Sequence, residues 1–164
     1  MSNEEKRVLL QKWLFAHAQG RSAKLFIGCV DTYDLSEAAE TLLRSYEETI
    51  SISLYVAYLN DLQSGLIPIY IGKSAHPLQR WKDGHCRNLA KVKNENKSGS
   101  YTRWVRLLER MKTPPFIMCI GQKNVLFPPI PEFPLTIGSI EYQLISLASD
   151  AFRSYLLNYE GRSR

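Results

Sequence analysis

The chain has 164 residues, 45% hydrophobic and 23% charged, the size and composition of one ordinary globular domain rather than a disordered or fibrous protein. Its apolar runs fall short of the roughly 18 to 20 residues that a membrane-spanning helix needs, which excludes a transmembrane role. Lys and Arg number 21 against 16 Asp and Glu, and the excess is concentrated: residues 51–112 carry 11 basic against 4 acidic side chains, whereas residues 1–50 carry 6 against 8. Such a block is the footprint of a polyanion-binding face, although a solvated helical surface has the same composition.

The N-terminus, Met-Ser-Asn-Glu-Glu-Lys-Arg, lacks the apolar core of a secretory signal. Cys29, Cys86 and Cys119 are odd in number and not spaced as zinc ligands. Both features lead to the expectation of free thiols in a cytoplasmic protein. Leu9, Leu10, Trp13 and Leu14 recur at helical spacing and predict an amphipathic helix over residues 4–18, stopped at Gly20. Lys24 to Val30 is a short apolar run of strand character, and Asp34-Leu-Ser-Glu37 reads as a capping box opening a helix to about residue 48. Residues 1–50 thus read as an N-terminal helical accessory arm, with the main domain over 51–164.

From Ile52 to Leu59 apolar residues alternate, with Ile52, Leu54, Val56 and Tyr58 on one face and Tyr55 on the other. A glycine-containing turn leads to Ile67–Gly72, which alternates again, so the two segments predict an antiparallel hairpin. Pro77 suits the first turn of a helix capped by Ser74 or His76 and ending near Gly84. Lys91 to Gly99 reads as a loop, and Ser100 as the cap of a helix with Trp104, Leu107, Leu108 and Met111 inward and Arg103, Arg106 and Arg110 outward. Phe116–Ile120 is a third strand, Phe127–Pro134 a stiff connector, and Gly138-Ser139 opens a last helix.

Order and spacing carry more information than any one element. Ser53-Leu54-Tyr55 is followed by Tyr70-Ile71-Gly72-Lys73-Ser74, then Arg80 ten residues after the second tyrosine, Glu141 opening a late helix, and Asn158. This pattern resembles the GIY-YIG nuclease family over residues 52–158. The resemblance implies an α/β fold, an α+β sandwich with a three-stranded antiparallel sheet flanked by helices, and cleavage of phosphodiesters with one divalent metal, Mg2+ or Mn2+. It also implies roles: Tyr55 and Tyr70 in the catalytic cleft, Arg80 on phosphate, Glu141 on the metal and Asn158 in support. Ser53 replaces the family's usual glycine. The histidine or tyrosine common four residues after the arginine is replaced by Gly84, with His85 next to it as the expected proton shuttle.

The chemistry of these residue types agrees. Phosphodiester hydrolysis needs an activated water, a Lewis acid and a cationic clamp. Glu141 is a hard oxygen ligand, expected in the first turn of its helix, where the dipole favours an ionised carboxylate. Arg80 offers a planar fork matched to phosphate. A tyrosine serves as general base only if metal or arginine lowers its pKa, and His85 titrates near neutrality when unperturbed. Lys73, Lys91, Lys93, Lys97, Tyr101, Arg103, Arg106 and Arg110 are expected to extend a phosphate track, with DNA as the partner. The absence of a large second domain favours a small restriction-type endonuclease, expected as a homodimer that uses the Trp13 and Leu14 face of the first helix as a dimer or DNA-wrapping surface. The alternatives are a non-catalytic nucleic-acid-binding module on the same fold and a repair or mobile-element nuclease.

Overall fold

Residues 1–27, 33–47, 51–95, 99–111 and 113–158 are described by the structure, a computed structural model; Cys29 and Lys97 lie outside them. Helix α1 (Asn3–Ala18) starts at a capping box in which the Ser2 hydroxyl accepts from the Glu5 amide and the Glu5 carboxylate from the Ser2 amide. Gly20 ends the turn beyond it at φ 75°, a conformation that favours glycine. Strand β1 (Ser22–Lys24) and helix α2 (Glu37–Glu47) follow; the Ser36 hydroxyl, not Asp34, caps α2 by accepting from Ala39.

Strands β2 (Ser53–Asp61) and β3 (Gly65–Ser74) form the expected hairpin, its turn closed by the Asp61 carboxylate accepting from the amides of Gln63 and Ser64. The chain then runs through α3 (Pro77–Gln79), a π-helical segment (Arg80–Cys86) and α4 (Arg87–Glu95) without a stop at Gly84. Glu47 caps this long helix from α2, its carboxylate accepting from Leu78 at 2.8 Å, a role expected of Ser74 or His76. Helix α5 (Ser100–Arg110), strand β4 (Phe116–Ile120), a 3-10 turn (Gln122–Asn124) and helix α6 (Ile137–Ala151) complete the order.

All strand pairs are antiparallel, in the order β1-β4-β2-β3. The sheet therefore has four strands where three were expected. The extra strand is a three-residue edge with no apolar alternation, paired with β4 just before the apolar run that suggested a strand. The central β2 is buried on both faces. The other edge, β3, is covered by the chain after α6: Leu157 donates to the Ile69 carbonyl at 2.7 Å, and the Asn158 amide bonds both the N–H and the C=O of Ile71.

The N-terminal residues are not a separate arm. Helix α1 packs along α6 and against β3, and Leu10, Trp13 and Leu14 are fully buried in one core with Leu54, Ile71 and Leu144. The Trp13 indole donates to the Phe127 carbonyl, and the Gln11 side chain bonds both the amide and the carbonyl of Leu66. The Trp13 and Leu14 face is thus unavailable as a dimer or DNA-wrapping surface; an apolar helical stripe looks the same in sequence whichever partner buries it. Replacing Trp13 by Ala is expected to cost about 3–5 kcal/mol in urea denaturation, and a change below about 1 kcal/mol would show α1 to be peripheral.

Candidate active site

Sheet register positions the two tyrosines. Tyr55 stands opposite Gly72 and Ala57 opposite Tyr70, so the tyrosines are diagonal neighbours on one face, with ring centroids 6.3 Å apart and planes 24° apart. Gly72 is a steric requirement, because a Cβ there would lie 2.7 Å from the Tyr55 hydroxyl and 2.6 Å from its ring. The register shifts between Ala57 and Tyr58, leaving Ile69 as an extra residue in β3 next to Pro68, which lacks a ladder donor.

This face is covered by aromatic rings. Trp81 and His85 from the π-helical segment and Trp104 from α5 close over the tyrosines: Trp104 lies 4.6 Å from Tyr70 and stacks on His85 at 4.9 Å, and Trp81 meets Tyr55 at 5.7 Å. Tyr55 is 1% exposed. The π geometry answers the displaced histidine. Its hydrogen bonds span five residues instead of four, so Arg80 and His85, five apart, come one turn apart on the same side. Trp81 and Trp104 were not among the expected site residues: the π turn shifts the phase of the helix at Trp81, and Trp104 reads in sequence only as part of the inward stripe of its helix.

The Arg80 side chain is exposed and comes close enough to the Tyr55 hydroxyl to act on its charge. Partial burial opposes its charge, but the oxygens of Tyr55, Tyr70 and Tyr101 outweigh this and raise its pKa above the ordinary value. For Tyr55, burial and then Tyr70 push the hydroxyl well above the usual tyrosine range; Arg80 pulls the other way, and the nearby Glu141 carboxylate adds to the rise. The arginine therefore does not by itself make Tyr55 a base, since desolvation of a phenolate under three aromatic rings is the larger effect.

His85 is 2% exposed, and burial followed by the charge of Arg80 pushes its pKa down to about 3. Its Nδ1 lies 2.9 Å from the Tyr101 hydroxyl, which also bonds Asn88, and its Nε2 is buried with no partner among the described residues. The near-neutral titration expected of a shuttle is lost. His85 remains neutral and braces Tyr70 and Trp104.

Glu141 sits later in its helix than expected. Thr136 caps α6 and Ile137 begins it, which places Glu141 beyond the first turn and away from the free amides. Its neighbour is Lys73, whose Nζ is 3.5 Å from Oε1. Gly138, one turn earlier, leaves room for that lysine: a Cβ there would lie 3.4 Å from Nζ. Among the described residues no group of three or more His, Cys, Asp or Glu side chains is placed to share a metal ion. A single partly exposed carboxylate still fits Mg2+ or Mn2+, because magnesium is commonly held by one or two carboxylates with substrate oxygens and water completing the shell. Asn158, 5% exposed, spends both ends of its amide on Ile71 and so fixes β3 between Tyr70 and Gly72.

The basic residues divide. Lys91, Arg106 and Arg110 are exposed. Lys93 reaches toward the Glu109 carboxylate at 4.0 Å, and Arg103 is half-buried with Nη2 donating to the Leu156 carbonyl at 2.8 Å. Tyr101 turns inward to His85. Cys86 and Cys119 are buried, and burial pushes both thiols up to about 12, so neither is a nucleophile. No helix among the described residues is long and apolar enough to cross a membrane.

Compared with protein-family models, with curated proteins and with solved structures, the chain matches none. The resemblance to the nuclease family rests on the sequence pattern alone.

The buried histidine has a measurable consequence. Its folded pKa, about 3, lies below the ordinary value of 6.5, so its contribution to stability is complete above pH 6.5 and is lost as pH falls toward 3. NMR of the ring nitrogens is expected to show His85 neutral down to about pH 4; titration near 6.5 would contradict the burial described.

Proposed function

We propose that this chain is a divalent-metal-dependent DNA endonuclease of the GIY-YIG kind, hydrolysing phosphodiester bonds at a centre made by Tyr55, Tyr70, Arg80 and Glu141. The observation that carries this reading is convergence. Two strands, a π turn and a late helix bring an exposed arginine onto the Tyr55 hydroxyl, with a carboxylate close enough to act on the same hydroxyl.

Arg80 binds and orients a phosphate through its fork and opposes the charge that grows on the phosphoryl oxygens in the transition state. The protonated Tyr55 hydroxyl, already aligned by Arg80, holds its proton at Oη and donates a hydrogen bond to the same group. Lys73 neutralises Glu141 and lies next to the phosphate path. Tyr70, braced by Trp104 and His85, limits water at the inner wall. Glu141 would hold an Mg2+ or Mn2+ ion, which would supply the Lewis acid that this chemistry needs. Asn158 acts through β3 as a positioning residue.

The finer reading is a restriction-type enzyme. Cutting both strands takes two such centres related by a two-fold axis, hence a homodimer on DNA through a surface other than the buried stripe of α1. One observation favours a second reading, a non-catalytic nucleic-acid-binding module: the Lys73–Glu141 pair neutralises the carboxylate from within the chain.

Supercoiled plasmid incubated with Mg2+ or Mn2+ separates the two. Wild type is expected to nick or linearise it, with loss of at least about 100-fold in rate for Glu141→Ala and a complete stop on chelation. An intact plasmid in every lane, with DNA binding retained, would overturn the nuclease reading in favour of the module.

A further inference from the structure

A groove of about 540 Å³ lies between α5 and the chain after α6, lined by Arg103, Arg106, Arg110, Glu109, Ser154 and Leu157, among others. Among the described residues its positive charge is not balanced by ion pairs. None of the three arginines makes an ion pair with a described residue, and the groove's carboxylate, Glu109, is drawn toward Lys93 at 4.0 Å. Arg103 is the strut: its Nη2 holds the Leu156 carbonyl, while its Nη1 is buried with no partner among the described residues. Its charge therefore adds to the field in the groove from a half-buried position.

We infer that this groove seats the sugar-phosphate backbone of duplex DNA away from the bond that is cut, with Arg106 and Arg110 as the phosphate-contacting side chains and Arg103 holding the groove wall. The inference rests on the nucleic-acid reading of the proposed centre and deepens it. Arg106 and Arg110 are exposed and one helical turn apart, about 6 Å along the axis, so they form a row that follows a strand rather than a point that grips one ion. The Ser154 hydroxyl supplies a neutral donor opposite them, of the kind that accompanies arginine at phosphates. The groove adjoins the strand that carries Tyr70: its wall residue Leu157 donates to the Ile69 carbonyl at 2.7 Å, one residue before that tyrosine.

The probe is a fluorescently labelled duplex, and the readout is anisotropy across a salt series in the presence of chelator, so that binding is measured without cleavage. Arg106→Ala/Arg110→Ala is expected to weaken binding at least about tenfold at low salt. It should also reduce the slope of log affinity against log salt by about 2, one unit for each phosphate no longer neutralised. A control removing the same charge from other elements, Lys12→Ala/Lys123→Ala, is expected to change the slope by less than half as much. Both pairs are exposed, and thermal melting checks that each variant is folded. An unchanged slope in the arginine pair, or an equal loss in the lysine control, overturns the groove. If wild type cuts plasmid while the arginine pair binds with unaltered slope, the groove alone fails; if wild type neither cuts nor binds, the nucleic-acid reading fails with it.

Discussion

The contact between the Tyr55 ring and the Gly72 backbone is the constraint on which the rest of the site depends. A side chain at residue 72 would enter the ring, so only glycine lets a full tyrosine lie across the neighbouring strand. That contact sets the level at which the phenol leaves the sheet, and the cross-strand diagonal then sets Tyr70 beside it. Arg80 meets the hydroxyl from the π turn, and Glu141 approaches from α6, which is held against β3. The C-terminal chain locks the same strand from its outer edge, where Asn158 replaces a missing neighbour strand at Ile71.

Burial and charge oppose each other here, and the order in which they win shapes the chemistry. The rings packed on them, Tyr70 and Trp81 on both and Trp104 on the histidine, take Tyr55 and His85 out of water, so neither the phenolate nor the imidazolium is favoured at ordinary pH. The charged groups that remain, Arg80, Lys73 and Glu141, stand at the rim, where the proposed function would seat a phosphodiester and its counter-ion. The division gives a neutral, rigid inner wall and an ionic mouth. Rigid placement of donors is what lowers the cost of reorganisation when charge develops on a phosphoryl group.

Much of this was legible in residue order. Alternation along 52–59 and 67–72 marks the hairpin because one slip would turn the tyrosines to the other face, and the helix stripes at Leu10, Trp13 and Leu14 and at Trp104, Leu107 and Leu108 follow from period alone. What escaped has physical causes. Strand β1 is too short and too exposed to carry a pattern. The place of α1 in the core depends on which surface its stripe meets, and sequence period says nothing of that. Gly84 reads as a stop in an α-helix, whereas the π turn carries the chain through it and brings His85 and Trp81 onto the tyrosines. The altered pKa values of Tyr55 and His85 come from burial, and then from Tyr70, Arg80 and Glu141 at the phenol and Arg80 at the imidazole, which only the fold brings together.

The most direct measurement is a double-mutant cycle on plasmid cleavage, with Tyr55→Phe and Arg80→Ala made singly and together and single-turnover rates compared with wild type. If the hydroxyl and the guanidinium act as one unit on one phosphate, the double variant is expected to be no slower than the slower single one. Losses that multiply would show two residues acting independently and would contradict a centre organised around the Tyr55 hydroxyl.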